Sequence, residues 1–163
     1  KIFFTFLLLL LLSVNSYSAG SSGSDSGGSA KTKTSYEKAV AYIKSAKKYE
    51  KKDKIKKANK SYEKALKLLI KSNKKKPNNP DTLNYLGFTT RKLGDYEGGE
   101  KFYLEGLAIE PNHIGINEYL GELYVVTNRI SLAKERLKIL ENCNCKEYDQ
   151  LREVIQGIRK SKY

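Results

Sequence analysis

Three residues of this chain carry side chains suited to soft-metal or thiol chemistry. Cys143 and Cys145 stand one residue apart in Glu141-Asn142-Cys143-Asn144-Cys145, and His113, the single histidine, follows Pro111-Asn112. A structural zinc site normally needs four ligands, and no fourth stands at a recognisable spacing. A Cys-x-Cys pair can hold Cu(I) or exchange disulfides, so a thiol-redox or copper carrier is one reading. In an exported chain an even number of cysteines reads instead as a bridge. A turn at Asn144 would bring the two Cα atoms within the roughly 4.4–6.8 Å that a bridge requires. Closing so small a ring removes little chain entropy, so it would pin a local turn. His113 has no obvious partner to orient it as a general base and reads as a turn residue. Gly98-Gly99 lies inside a helical pattern and serves close packing, not phosphate binding. No catalytic constellation, metal site or cofactor is expected, and the chain does not read as an enzyme.

The elements that would position these residues are helices. Tyr36, Ala39, Val40, Ile43, Ala46 and Tyr49 recur every three or four residues, the spacing of one helix face. The same spacing continues through Ile55–Ile70, Leu83–Leu93, Tyr96–Ile109, Ile114–Tyr124, Ile130–Leu140 and Tyr148–Ile158. Asp53 is a candidate cap for the second helix, and Pro77-Asn78-Asn79-Pro80 stops it late. Small residues recur at matching places: Ala46, Gly87 and Gly121 on the first helix of each pair, Ala58, Gly99 and Ala133 on the second. Larger side chains there would force the paired helices apart. Leu83-x2-Leu86-Gly87 recurs as Asn117-x2-Leu120-Gly121, 34 residues later. A period of that size predicts a helical solenoid.

Leu83, Leu86, Gly87, Gly94-Asp95-Tyr96, Gly99, Tyr103, Gly106 and Pro111 resemble the tetratricopeptide repeat (TPR), with Leu83 and Thr90 replacing a frequent Trp and Tyr. The third unit has Asn117 at the aromatic place, and the first is degenerate and lengthened. The resemblance implies an all-α, right-handed superhelical solenoid of about three TPR helix pairs over residues 35–163. The repeats fall at about 36–76, 80–113 and 114–145, with a capping helix at about 146–160. The layout is similar to small exported, periplasmic TPR proteins of bacteria, in which paired cysteines of this loop are read as a disulfide.

In that family the first helix of each pair lines a concave groove. The implied peptide-binding residues are Ile43, Lys47 and Glu50, then Asn84, Phe88, Arg91 and Lys92, then Glu118, Glu122 and Val125. Phe88 lies off the core stripe and reads equally as a peptide anchor or as packing against the neighbouring first helix. Some members grip a C-terminal carboxylate. The matching places here hold Ile43, Lys47, Tyr85, Gly115 and Tyr119, of which only Lys47 is basic, so that clamp is not expected. The expected function is a non-enzymatic adaptor for a protein or peptide.

The net charge is +13, and Lys44–Lys76 holds 15 Lys against Glu50, Asp53 and Glu63. The basic patch comprises Lys44, Lys51, Lys54, Lys57, Lys60, Lys64, Lys67, Lys71, Lys74, Lys75 and Lys76. It predicts either a solvated helix face or an electrostatic tether to an anionic membrane surface or acidic polymer. Nucleic acid is disfavoured, because arginine reads phosphates better than lysine. At the other end, Lys1 precedes the apolar run Ile2–Leu12, and small residues follow to Ser18. That order predicts a signal peptide over 1–18 rather than a membrane anchor, since a span needs about 20 apolar residues. Residues 19–34 read as a Gly/Ser-rich linker. The mature protein is then expected to be periplasmic or secreted.

Overall fold

Thr34, at the end of the expected linker, begins the fold. In the computed structural model, which describes residues 32–161, the Thr34 hydroxyl accepts from the Glu37 amide at 3.2 Å. The Glu37 carboxylate accepts from the Thr34 amide at 2.7 Å. This reciprocal cap satisfies two amides the helix cannot and opens α1 (Ser35–Glu50). The expected signal peptide, 1–18, and residues 19–31 of the expected linker lie outside the described residues.

The other helices are α2 (Ile55–Lys75), α3 (Pro80–Lys92), α4 (Tyr96–Ile109), α5 (Ile114–Val126), α6 (Ile130–Leu140) and α7 (Lys146–Ile155). Asn79 caps α3 with Pro80 in its first turn, and Asp95 caps α4 through the Gly98 amide at 2.8 Å. Asp53 does not cap α2. It adopts a left-handed backbone, φ 52°, and Lys54 takes the cap position without a side-chain bond. The chain has to reverse between α1 and α2, and Asp tolerates that conformation better than most residues. No described helix is long and apolar enough to cross a membrane.

The helices pair as α1/α2, α3/α4 and α5/α6. The pairs stack in chain order, and α7 packs on both α5 and α6. The fold is an all-α solenoid. Within a pair, contact depends on absent side chains: a Cβ on Gly87 would sit 2.9 Å from the Gly99 carbonyl oxygen and 2.5 Å from the Tyr103 ring. Gly121 differs from expectation, since a Cβ there would meet Leu151 of α7 at 2.6 Å. Its missing side chain thus makes room for the closing helix.

One core joins Ala39, Ile43 and Ala46 of α1 to Tyr62 and Leu69 of α2 and Leu83, Leu86 and Phe88 of α3. A second joins Tyr103, Ile116, Leu120, Leu123 and Ala133. The closing helix stops at Ile155, short of the expected residue 160. Gly157, at φ 72°, lets the Ile158 amide reach back to the Glu153 carbonyl at 2.9 Å and the Gly157 amide to Val154 at 3.1 Å. That pair of bonds ends a helix and turns the following residues away from its axis.

Candidate peptide-binding groove

The first helices lie side by side, α1 against α3 and α3 against α5. Side chains 72 residues apart in sequence therefore meet. The Lys47 ammonium of α1 stands 4.5 Å from the Phe88 ring centre of α3 and donates to the Tyr119 hydroxyl of α5 at 3.5 Å. Phe88 in turn packs on Tyr119 at 5.1 Å and edge-on to Tyr62 at 5.8 Å. A cation over aromatic faces is held by the ring quadrupoles.

Two charged pairs flank this cluster. Glu50 pairs with Lys92 and accepts from the Tyr62 hydroxyl at 3.0 Å, which ties α1, α2 and α3 together. Arg91 is buried. One of its terminal nitrogens donates to the Tyr119 carbonyl at 2.6 Å, and the other lies 3.6 Å from Glu122. Burial pulls the Arg91 guanidinium below its usual range, while Tyr103 and Glu122 act in the opposite direction. Burial also pushes the Tyr62 and Tyr119 phenols up, Tyr62 with help from Glu50 and Tyr119 from Glu118. On the C-terminal side, the Ser161 hydroxyl donates to Glu122 at 3.1 Å, so the segment after Gly157 returns to α5.

The expected groove residues divide by burial. Lys47, Glu50, Lys92 and Val125 are half-buried. Ile43 is corrected to a core position, 2% exposed, and Phe88, 1% exposed, takes the packing alternative of its two readings. Phe88 is enclosed because Tyr62 of α2 and Tyr119 of α5 both pack on its ring. Asn84, Arg91, Glu118 and Glu122 are also buried rather than facing open solvent. Arg91 of α3 and Glu122 of α5 sit between first helices, where the charge on one must be answered from the next. Sequence reasoning missed Tyr62, which helical spacing assigned to plain packing, and met Tyr119 only as a clamp place without a cation. All eleven residues of the expected basic patch are exposed, outside this cluster.

The remaining candidates lie elsewhere. His113 caps α5, its Nδ1 accepting from the Ile116 amide at 3.1 Å, with Nε2 3.3 Å from Asp81. It has the partner that sequence reasoning did not find, but its ring serves a helix end. Cys143 and Cys145 are bonded to each other, so in this form neither sulfur is a thiolate ligand. Among the described residues, no group of three or more His, Cys, Asp or Glu stands together as a metal site.

With this arrangement of helix pairs, one solved structure is informative. The first TPR of Spaghetti (RPAP3), solved bound to the HSP90 peptide SRMEEVD, is similar with a TM-score of 0.53 and 20% identity, covering 77% of this chain and 96% of that one. The fold is TPR-like. No family model matches the sequence, and no curated protein matches it. Two of the five places that the resemblance matches to a carboxylate clamp are aromatic and packed. Tyr85 packs on Tyr36 at 5.9 Å and Tyr119 on Phe88, and neither is a cation.

Proposed function

We propose that this chain is a non-enzymatic adaptor that binds a protein or peptide across its first helices. The observation that carries the reading is the junction of Lys47, Phe88 and Tyr119, contributed by three successive first helices. The half-buried Lys47 and Tyr119, set over the enclosed Phe88, offer a charge beside a phenol at one point, which suits an extended peptide with an acidic side chain. The structural neighbour, solved with a peptide, supports the reading at the level of the fold. The chain's own clamp positions argue for a different peptide chemistry from carboxylate capture. The apolar run Ile2–Leu12 and the Cys143–Cys145 bridge support an exported, oxidising setting, periplasmic or secreted, in a bacterial envelope.

The test is selection of peptides from a random library on the wild-type protein, followed by titration of the enriched sequences. Lys47→Glu should weaken them about tenfold or more while helical circular dichroism stays unchanged. Equal binding by Lys47→Glu, or failure to enrich any sequence, overturns the groove reading.

A further inference from the structure

The surface that the groove leaves unused is α2. It carries eight lysines, Lys56, Lys57, Lys60, Lys64, Lys67, Lys71, Lys74 and Lys75, against one acid, Glu63. At 100° per residue the eight fall within an arc of roughly 100°. The opposite side holds the buried Ala58, Tyr62, Ala65 and Leu69. All eight lysines are exposed. Among the described residues none of them forms an ion pair. Like charges three and four residues apart oppose the helix that carries them, so the helix forms against its own surface charge.

Solubility does not require this. The solenoid has a second end, α7, which faces water with Lys146, Glu147, Asp149, Arg152 and Glu153. There the charges are balanced and paired, Arg152 with Asp149 at 2.8 Å and Lys146 with Glu147 at 4.0 Å. The other second helices are mixed as well: α4 has Glu97, Glu100, Lys101 and Glu105, and α6 has Lys134, Glu135, Arg136 and Lys138. The excess of one sign is by far the largest on α2. That helix is also the longest, 21 residues against 14 and 11, and its added turns bring Lys71, Lys74 and Lys75.

The shape of the patch points to a plane. Lys64 stands 5.4 Å from the exposed Tyr42 ring of α1. Helical spacing puts Lys38 on the same side of α1 as Tyr42, and it is exposed. The charge therefore spreads over two neighbouring helices rather than along one thread. Lysines are compact, hydrated charges without the arginine fork that reads individual phosphates. No aromatic residue interrupts the α2 arc to stack nucleic-acid bases, and tyrosine is at home at the level of lipid headgroups.

We propose that the lysine face of α2, with Lys38 of α1, docks on an anionic phospholipid bilayer, leaving the groove open to its own ligand. The test uses the unit 32–163, which contains its own core. It is sedimented with vesicles of equimolar phosphatidylglycerol and phosphatidylcholine, and with phosphatidylcholine alone. Binding should require phosphatidylglycerol and fall as salt rises. The combined variant Lys57→Gln, Lys60→Gln, Lys64→Gln, Lys67→Gln and Lys71→Gln keeps good helix formers and should bind about tenfold more weakly or worse. A control with Lys101→Gln, Lys134→Gln, Lys138→Gln, Lys146→Gln and Lys160→Gln removes equal charge elsewhere and should bind within about twofold of wild type. Equal loss in both variants would reduce the effect to net charge and overturn the proposal. So would no binding to the anionic vesicles, or binding to polyphosphate in their absence alone.

Discussion

Gly87 and Gly121 show how a single missing side chain acts differently according to what stands opposite. At Gly87 the space is bounded by the Gly99 backbone oxygen, 2.9 Å from where a Cβ would be, and a backbone cannot rotate away. At Gly121 it is bounded by the tip of Leu151, a side chain with other rotamers. Gly87→Ala should therefore destabilise by about 1–3 kcal/mol, the usual cost of overpacking. Gly121→Ala should cost less, because helix propensity favours alanine and Leu151 can move. Thermal melting of both variants checks the order, and equal losses would refute it. His113 makes a second case. Its Nδ1 accepts from the Ile116 amide, so His113→Ala should cost about 1 kcal/mol of stability. His113→Asn, with an oxygen able to cap, should recover most of it in the same melts.

At the scale of elements, the turns decide more than the helices. Asp53, Asn78, Asn128 and Asn144 all take left-handed backbones where the chain leaves a helix or turns at the cysteine loop. Asn128→Val should cost about 1–2 kcal/mol, whereas Asn128→Gly should be close to neutral in denaturant unfolding. The Cys143–Cys145 bridge encloses only Asn144, so replacing both cysteines by serine should cost no more than about 2 kcal/mol. The helices themselves were legible in the sequence, because apolar residues at three- and four-residue spacing and stops such as Pro77-Asn78-Asn79-Pro80 are local. The groove was less legible. Periodicity leaves Phe88 between a peptide anchor and packing against the neighbouring first helix, because it does not say how near that helix comes. The distance depends on Tyr62 and Tyr119, which lie 26 residues before and 31 after Phe88 in the chain. The Glu100–Arg129 pair, with two bonds at 2.8 and 2.7 Å between α4 and the approach to α6, has no local sign for the same reason. The Asp53 cap failed for a local reason, since the tight α1–α2 reversal took that residue into the turn.

Over the whole molecule, phenols are enclosed at several levels of the stack, and this sets how the solenoid responds to alkali. Tyr62 and Tyr103 are fully buried, one in each core cluster. Burial raises both phenols above their ordinary range. Tyr36, partly covered and near Asp81, is raised to about 12. Below pH 10, the ordinary tyrosine value, folded and unfolded chains both keep these protons, and stability does not depend on them. Above pH 10 the unfolded chain releases protons that the folded chain retains, so stability falls as pH rises. Each fully enclosed phenol should remove about 1.4 kcal/mol per pH unit there, so Tyr62 and Tyr103 together remove about 3. In a stack whose units hold one another up, the loss should spread through the chain. Tyrosinate absorbance from these residues should rise together with loss of helical circular dichroism, in one transition above pH 10. Tyr103→Phe, which keeps the ring and removes the ionising group, should lower the slope of stability against pH by about half of that 3 kcal/mol. An unchanged slope, or phenol ionisation with the helices intact, would mean that solvent reaches these rings without unfolding and that the stack opens unit by unit.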